Sequence, residues 1–467
     1  MKNYSYTYPF IIFFVACLFY SCEDMVDLDP PTNQLIREEV FTSEATVESA
    51  MTGIYHQLFQ LEYSNGGRSS ITTLSGLSAD NIQNISTGNV SRMQFQEHEI
   101  DPDNMDNLSL WSSAYNMIYA TNSFLEGLEH ATNLEQSFKN EMEGQARFVR
   151  AFTYFYLINL YGDVPLILTT NFRENQLASR TSQLEIYDQI LTDLLVAEEM
   201  APEAYWNSER TSVDKQVVRA FLSRIYLYSE NWQKAEDYSS LVINDSGNYQ
   251  LLEDLNQVFL ANSAEAIWQI SPIGGGGLST QTNEGNFQII DPIFSFFAAI
   301  KLEEPFIAEF DSIDKRFQNW VGYNEALNAH YPHKYKVRLS NQFPIQEYSM
   351  VLRIAEQYLI RAESRLKQGN LIGALQDVDK IRRRAGLEPL EEIQPGISEN
   401  ALFDEIFLQR RKELFAEWGH RWFDLKRTSR AEQVLGEEPT WNATDLVYPI
   451  PESERKKNPN LTQNEGY

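Results

Sequence analysis

Four aromatic side chains, Trp320, Tyr323, Tyr331 and Tyr335, fall close together in a loop-like stretch that includes HYPHKYKVR. A second group, Asp80, Asn81, Asn84 and Arg92, lies in the polar run SADNIQNISTGNVSRMQF. It gathers a carboxylate, two amides and a guanidinium. Flat rings can stack on the apolar C–H faces of a sugar ring, and the polar set can read hydroxyls by hydrogen bonds. These eight residues are the candidate ligand contacts. Each also has a structural reading: the rings as core or plugs between elements, the Asp and Asn side chains as turn formers and caps. Trp268, in EAIWQIS, is set aside because its neighbours are those of a buried strand or helix.

Catalytic and metal chemistry find little support. Glu413, Glu417 and Arg421 recur every four residues, a spacing that suits pairing along one helix face. Arg147 and Arg150 read the same way, as packing and pairing residues. DPDNMDN, residues 101–107, fails as a calcium loop. Met105 stands where an oxygen ligand belongs, Asp106 where glycine is required and Ser112 where a bidentate Glu closes the loop. Pro332 between His330 and His333 keeps them off a shared helical face, so zinc is not expected. Gly274 to Gly277 lack the Lys-Ser/Thr of a phosphate loop, and no G-x-S-x-G nucleophile motif is present. No cofactor and no metal are expected.

The formal net charge of −28 repels nucleic acid and anionic headgroups and suits an uncharged or cationic ligand. Aromatic residues make up 13% of the chain and hydrophobic residues 43%, enough for a large core. The chain has only two cysteines. Cys17 sits inside an apolar run, Phe10 to Tyr20, that is too short to span a bilayer. With Lys2 before it and Ser21 after it, the run reads as a signal peptide over residues 1–21. Cleavage would leave Cys22 at the new N-terminus, where its thiol can take a lipid. The pattern resembles a bacterial lipoprotein box, with Phe19 and Tyr20 where smaller residues usually sit. Residues 22–37 then form an acidic tether, held extended by Pro30-Pro31.

The elements that must position the candidate residues are helices. Apolar periodicity predicts helices over Trp111–Leu128, Glu141–Leu160 and Leu184–Met200. The second ends at YGDVP, where Gly162 and Pro165 break the pattern. Ala220–Ile243 and Leu359–Ile381 each read as helix, turn, helix, with Ala235 and Ala374 at matching positions after the turn. That is tetratricopeptide logic, split by more than a hundred residues. Thr211 to Asp214 predicts a capping box ahead of the first unit. One long helix is expected over Ser398–Phe423, with Phe403, Phe407, Leu414 and Trp418 as its stripe. The last twenty residues are too rich in Pro and Asn to be helical. Two segments, about 63–106 and 251–346, are irregular, and loops on a rigid scaffold commonly carry function.

Five stretches in register resemble the SusD/RagB family of nutrient-binding lipoproteins: ARFVRAFTYFYLINLYGDVPLI, LRIAEQYLIRAES, IRRRAGL, RRKELFAEWGHRWFDLKR and the terminal YPIPESERKKNPNLTQNEGY. The acids after Cys22 also resemble a surface-export signal. The resemblance implies a mainly α fold. Tetratricopeptide-type helix pairs would form a helical scaffold over residues 38–467, with an irregular, loop-rich ligand-binding portion. It implies a binding protein rather than an enzyme, lipid-anchored in the outer membrane and facing outward. Its partners would be a glycan, or else a peptide, and a SusC-type TonB-dependent transporter. Two other readings are a helical scaffold that binds proteins and an α-helical glycoside hydrolase.

Overall fold

The computed structural model describes residues 40–206 and 209–467. The expected signal peptide, Cys22 and the acidic tether lie outside the described residues. Numbering only helices of seven residues or more, the chain runs α1 (Glu44–Gln60), α2 (Ile71–Leu77), β1 (Ile82–Asn84), α3 (Val90–Gln96), α4 (Met105–His130), α5 (Gln136–Tyr161), α6 (Gln183–Met200), α7 (Lys215–Tyr228) and α8 (Trp232–Ile243). It continues through β2 (Ala266–Ile270), β3 (Ile300–Leu302), β4 (Val321–Asn324), β5 (Ala329–Pro332) and β6 (Ser349–Arg353). The last helices are α9 (Ile354–Lys367), α10 (Leu371–Arg384), α11 (Glu399–Glu413) and α12 (His420–Arg427).

The helices follow their periodicity. On α5, Phe148, Ala151, Phe152, Phe155 and Ile158 are all buried. The helix stops at Gly162, whose φ of +71° suits a residue without Cβ. Ser182 and Glu185 close a full capping box on α6. The box expected at Thr211 does not form. Asp214 is the cap instead, accepting from Val217 N at 2.9 Å, because the chain is still extended at Asp214. The paired helices α7–α8 and α9–α10 have the same layout. Asn231 and Asn370 cap the second helix of each pair, and Ala235 and Ala374 are fully buried where the helices approach. α8 packs against α9, so the two distant units become neighbours. Arg365 of α9 spans the junction, bonding Glu236 of α8 at 2.8 Å and Asp377 of α10 at 2.9 Å.

Between these pairs, residues 251–346 contain no helix longer than six residues. Two antiparallel pairings stiffen them: β2 with the distant β6 just beyond the segment, and the β4–β5 hairpin within it. The earlier irregular stretch holds α2, β1 and α3. In the C-terminal stretch a short helix, Glu452–Lys457, does form, started after Pro451.

The long helix expected over 398–423 is two helices. The chain breaks after Glu413, with positive φ at Ala416, Trp418 and Gly419. The break turns Glu417 inward. Glu413, Glu417 and Arg421 therefore do not pair with one another, as their spacing had suggested. Arg353, at the end of β6, bonds Glu413 (2.6 Å), Glu417 (2.9 Å) and Glu265 (3.0 Å). Arg384 bonds Glu265 at 2.8 Å and also reaches Glu413. Lys334 donates to the Glu413 carbonyl at 2.8 Å and to the Glu417 carboxylate. All of these side chains are buried. Burial alone would raise the Glu417 carboxyl, but Arg353 and Lys334 overcome it and hold it below the usual range. Burial opposes Glu413 likewise, and Arg384 and Arg353 hold it below the usual range too.

Two outcomes follow. Arg353→Met strands buried carboxylates and is expected to cost about 3–5 kcal/mol in urea unfolding, whereas Arg383→Met, which breaks an exposed pair with Glu391, costs under about 1 kcal/mol. Because the folded pKa values of Glu413 and Glu417 lie below the ordinary glutamate value of about 4.5, their contribution is complete above that pH. It is lost as pH falls through the folded values. The urea midpoint should decline on acidification below about pH 4.5 in the parent, and less steeply in a Glu417→Gln variant.

Candidate functional site

The two irregular segments meet. β1 pairs antiparallel with β3, placing Ile82 opposite Leu302 and Asn84 opposite Ile300. Asn283 Nδ2 donates to the Asn65 carbonyl at 2.9 Å, and Arg68 Nη2 donates to the Phe297 carbonyl at 2.7 Å. The approach is close enough to need glycine. Gly66 has φ +71°, and a Cβ there would lie 2.1 Å from the Glu284 carboxyl carbon.

The surface built at this junction is an aromatic platform in DPIFSFF. Asp291 begins it as an Asx turn, accepting from Ile293 N and Phe294 N, both at 2.8 Å. The N–H groups of Phe294 and Ile293, with Arg338, hold the Asp291 carboxyl below its usual range. One 3-10 turn follows, Ser295–Phe297. A single turn cannot bury every side of itself, so Phe294, Phe296 and Phe297 stay exposed, Phe296 by 70%. Their rings touch. Phe296 and Phe297 are 4.5 Å apart, and Phe294 lies 6.1 and 6.3 Å from them. Clustered exposed rings of this kind mark binding surfaces. A small satellite core lies nearby, formed by Ile290, Ala298 and Ala329, with Ile85 and Tyr331 packed against it.

Arginines flank the platform. Arg68 lies over the Phe287 ring at 4.5 Å, and Arg338 lies 5.6 Å from the centre of Phe297 while paired with Asp291 at 3.4 Å. Arg92 of α3 is 6% exposed, and its Nε and Nη1 have no protein partner. Burial, then the nearby Arg68 charge, pushes its pKa down.

Only part of the sequence-derived set lies here. Arg92 lies within electrostatic reach of Arg68, and Tyr331 lies over Gly322 on the face of the β4–β5 hairpin turned to the satellite core. Tyr323 is exposed on the opposite face, its ring 4.9 Å from His330 and its hydroxyl donating to Asn328 Oδ1 at 2.7 Å. Trp320 is fully buried, donating from Nε1 to the Leu255 carbonyl at 3.0 Å, and Tyr335 is buried with its hydroxyl accepting from Met350 N at 2.9 Å. Neither ring is a surface platform. Asp80 joins α11 and α12, pairing with Arg411 (2.8 Å) and Arg421 (2.6 Å). Asn81 accepts from Arg411 Nε at 2.7 Å, and Asn84 donates to the Ser86 carbonyl at 2.8 Å; both are buried. These three hold structure. Trp268 is buried, as its neighbours suggested.

The sequence reading passed over Phe294, Phe296, Phe297, Arg68 and Arg338. Its usable signal was four bulky apolar residues in five, Ile293 to Phe297, opened by Asp-Pro inside an irregular segment. Among the described residues, no cluster of three or more His, Cys, Asp or Glu side chains is placed to hold a metal ion. Phe296→Ala should change unfolding free energy by no more than about 0.5 kcal/mol, whereas Trp320→Ala should cost about 3–5 kcal/mol. Urea unfolding of the two variants separates an exposed platform from a core ring.

Residues 24–227 match a family model described as SusD-like, "starch-binding associating with outer membrane", and residues 330–467 match the SusD family model. The platform lies between the two matched spans. SusD-like protein P2 of Formosa agariphila is 26% identical over 524 residues, covering 100% of both chains. The starch-binding protein SusD of Bacteroides thetaiotaomicron is 23% identical over 441 residues, covering 74% of this chain and 76% of its own. A crystal structure of a SusD superfamily protein from Bacteroides vulgatus superposes with a TM-score of 0.79 at 22% identity, covering 91% of this chain and all of the other. A laminarin-binding SusD-like protein superposes with a TM-score of 0.77 at 20% identity, covering 91% and 100%.

Proposed function

The chain belongs to the SusD/RagB family, and from that premise we propose that it binds an oligo- or polysaccharide at the cell surface and delivers it to a SusC-type TonB-dependent transporter. The observation that carries this reading is the exposed ring cluster Phe294, Phe296 and Phe297 flanked by arginines, on a loop tied to a helical scaffold. Rings of this size take the apolar face of a pyranose, and guanidinium N–H groups take its polar edge. The role is binding and not catalysis. Glu413 and Glu417 are locked in ion pairs inside the fold. Lipid on Cys22 would anchor the chain to the outer membrane, facing outward. The residue 22–37 tether would let residues 38–467, as one domain, swing over the transporter mouth.

Calorimetric titration of the purified chain with oligosaccharides from several polysaccharide classes tests the proposal. At least one class should bind. Phe296→Ala combined with Phe297→Ala should weaken that binding by about tenfold or more, the loss expected for hot-spot rings, with the unfolding midpoint unchanged. Binding of peptides alone would replace the glycan with the second ligand class. Binding that ignores the double variant would remove the platform from the site.

A further inference from the structure

The surroundings of Phe297 carry more positive charge than a neutral sugar needs. Its carbonyl accepts from Arg68 and its ring faces Arg338, and Arg92 lies within electrostatic reach of Arg68. Arg92 is more than nine-tenths buried with two N–H positions unpartnered, and Arg68 Nε is likewise buried and unpartnered. Leaving such donors unmade is costly. The carboxylates around these cations already have donors: Glu284, packed against Gly66, accepts from Ser349 Oγ, and Glu62 accepts from Asn65 Nδ2. Asp291 takes two backbone N–H groups and Arg338, and Asp106 accepts from Ser69 Oγ at 2.6 Å. The cluster is a local exception in a chain of net charge −28. Charges more than about 8 Å away are largely screened at physiological ionic strength, so the neighbouring guanidiniums decide what binds here.

We propose that the glycan taken by the Phe294–Phe297 platform is an acidic one, bearing carboxylate or sulfate groups that Arg68 and Arg338 hold directly while Arg92 supports them from behind. Guanidinium forks match the planar oxygens of carboxylate and the splayed oxygens of sulfate, and such charge-assisted bonds are about twice as strong as neutral ones. The ring face still stacks on the phenylalanines, so the site reads sugar and charge together. This inference rests on the glycan-binding reading above and adds its substrate class.

Titration of the purified chain with four oligosaccharide probes of matched length tests it: a polyuronate, a sulfated galactan, a neutral β-glucan and a neutral α-glucan. One of the acidic probes should bind at least about tenfold more tightly than either neutral one, and which one binds names the anionic group. Arg68→Gln and Arg338→Gln should each erase about tenfold of that preference, and Phe296→Ala should weaken whatever binds. Arg338→Gln leaves the Arg68 bond to the Phe297 carbonyl in place, so a folding defect at one position does not decide the result. Neutral probes binding as tightly as acidic ones, with both arginine variants silent and Phe296→Ala still harmful, would overturn the acidic class and leave glycan binding standing. No binding of any probe would overturn both.

Discussion

Arg353 is the residue on which the rest of this architecture turns. It ends β6, precedes α9 and reaches three buried carboxylates from two other parts of the chain. Around it, Arg316, Lys334 and Arg384 complete four cations against Glu265, Asp314, Glu413 and Glu417. Desolvating so many charges is expensive, and the interior repays it only when every partner is in place. The cluster therefore admits one arrangement of β2–β6, the end of α10 and the break between α11 and α12.

The same cluster reaches the candidate site through a short stretch of chain. Lys334 is fixed on the Glu413 carbonyl and lies 4.1 Å from the Phe415 ring centre. Next to it, Tyr335 is buried under Met350 N. Glu347 then receives the N–H groups of Lys336 and Val337, at 2.6 and 3.1 Å. Arg338 follows and stands over Phe297. On the other side, the β1–β3 pairing and the Arg68 bond fix the loop that bears the phenylalanines. The platform is thus a loop in secondary structure but is braced from both sides. Bracing of this kind lowers the conformational entropy lost on binding.

What the sequence made legible was whatever had a period. The apolar rows of α5, the matched alanines of the two helix pairs and the stops at Gly162 follow from local spacing, and they formed. The break after Glu413 has one local sign, Gly419 at φ +70°, but Arg353 and Lys334, which hold Glu417 inward, are distant in sequence and no local pattern encodes them. Trp320 and Tyr335 failed as surface rings for the same reason. A loop-like sequence says nothing about what folds over it, and here Phe259 and the ionic cluster do. Both irregular segments are expected to carry function, yet their pairing through β1 and β3 joins residues more than two hundred positions apart. That pairing, with the Asp291 turn and the Arg68 bond to Phe297, holds Ile293 to Phe297 as a platform.

The proposed landing place for ligand is this braced platform and not a groove of the helical scaffold. Amide hydrogen exchange on the purified chain, with and without a saturating mixture of oligosaccharides, tests it most directly. The account predicts slowed exchange confined to the loops around residues 66–70 and 287–300 and the β4–β5 hairpin. Protection centred instead on the polar groove between α4, α5 and α6, lined by Glu126, Lys139 and Arg147, with the platform unchanged, would contradict it.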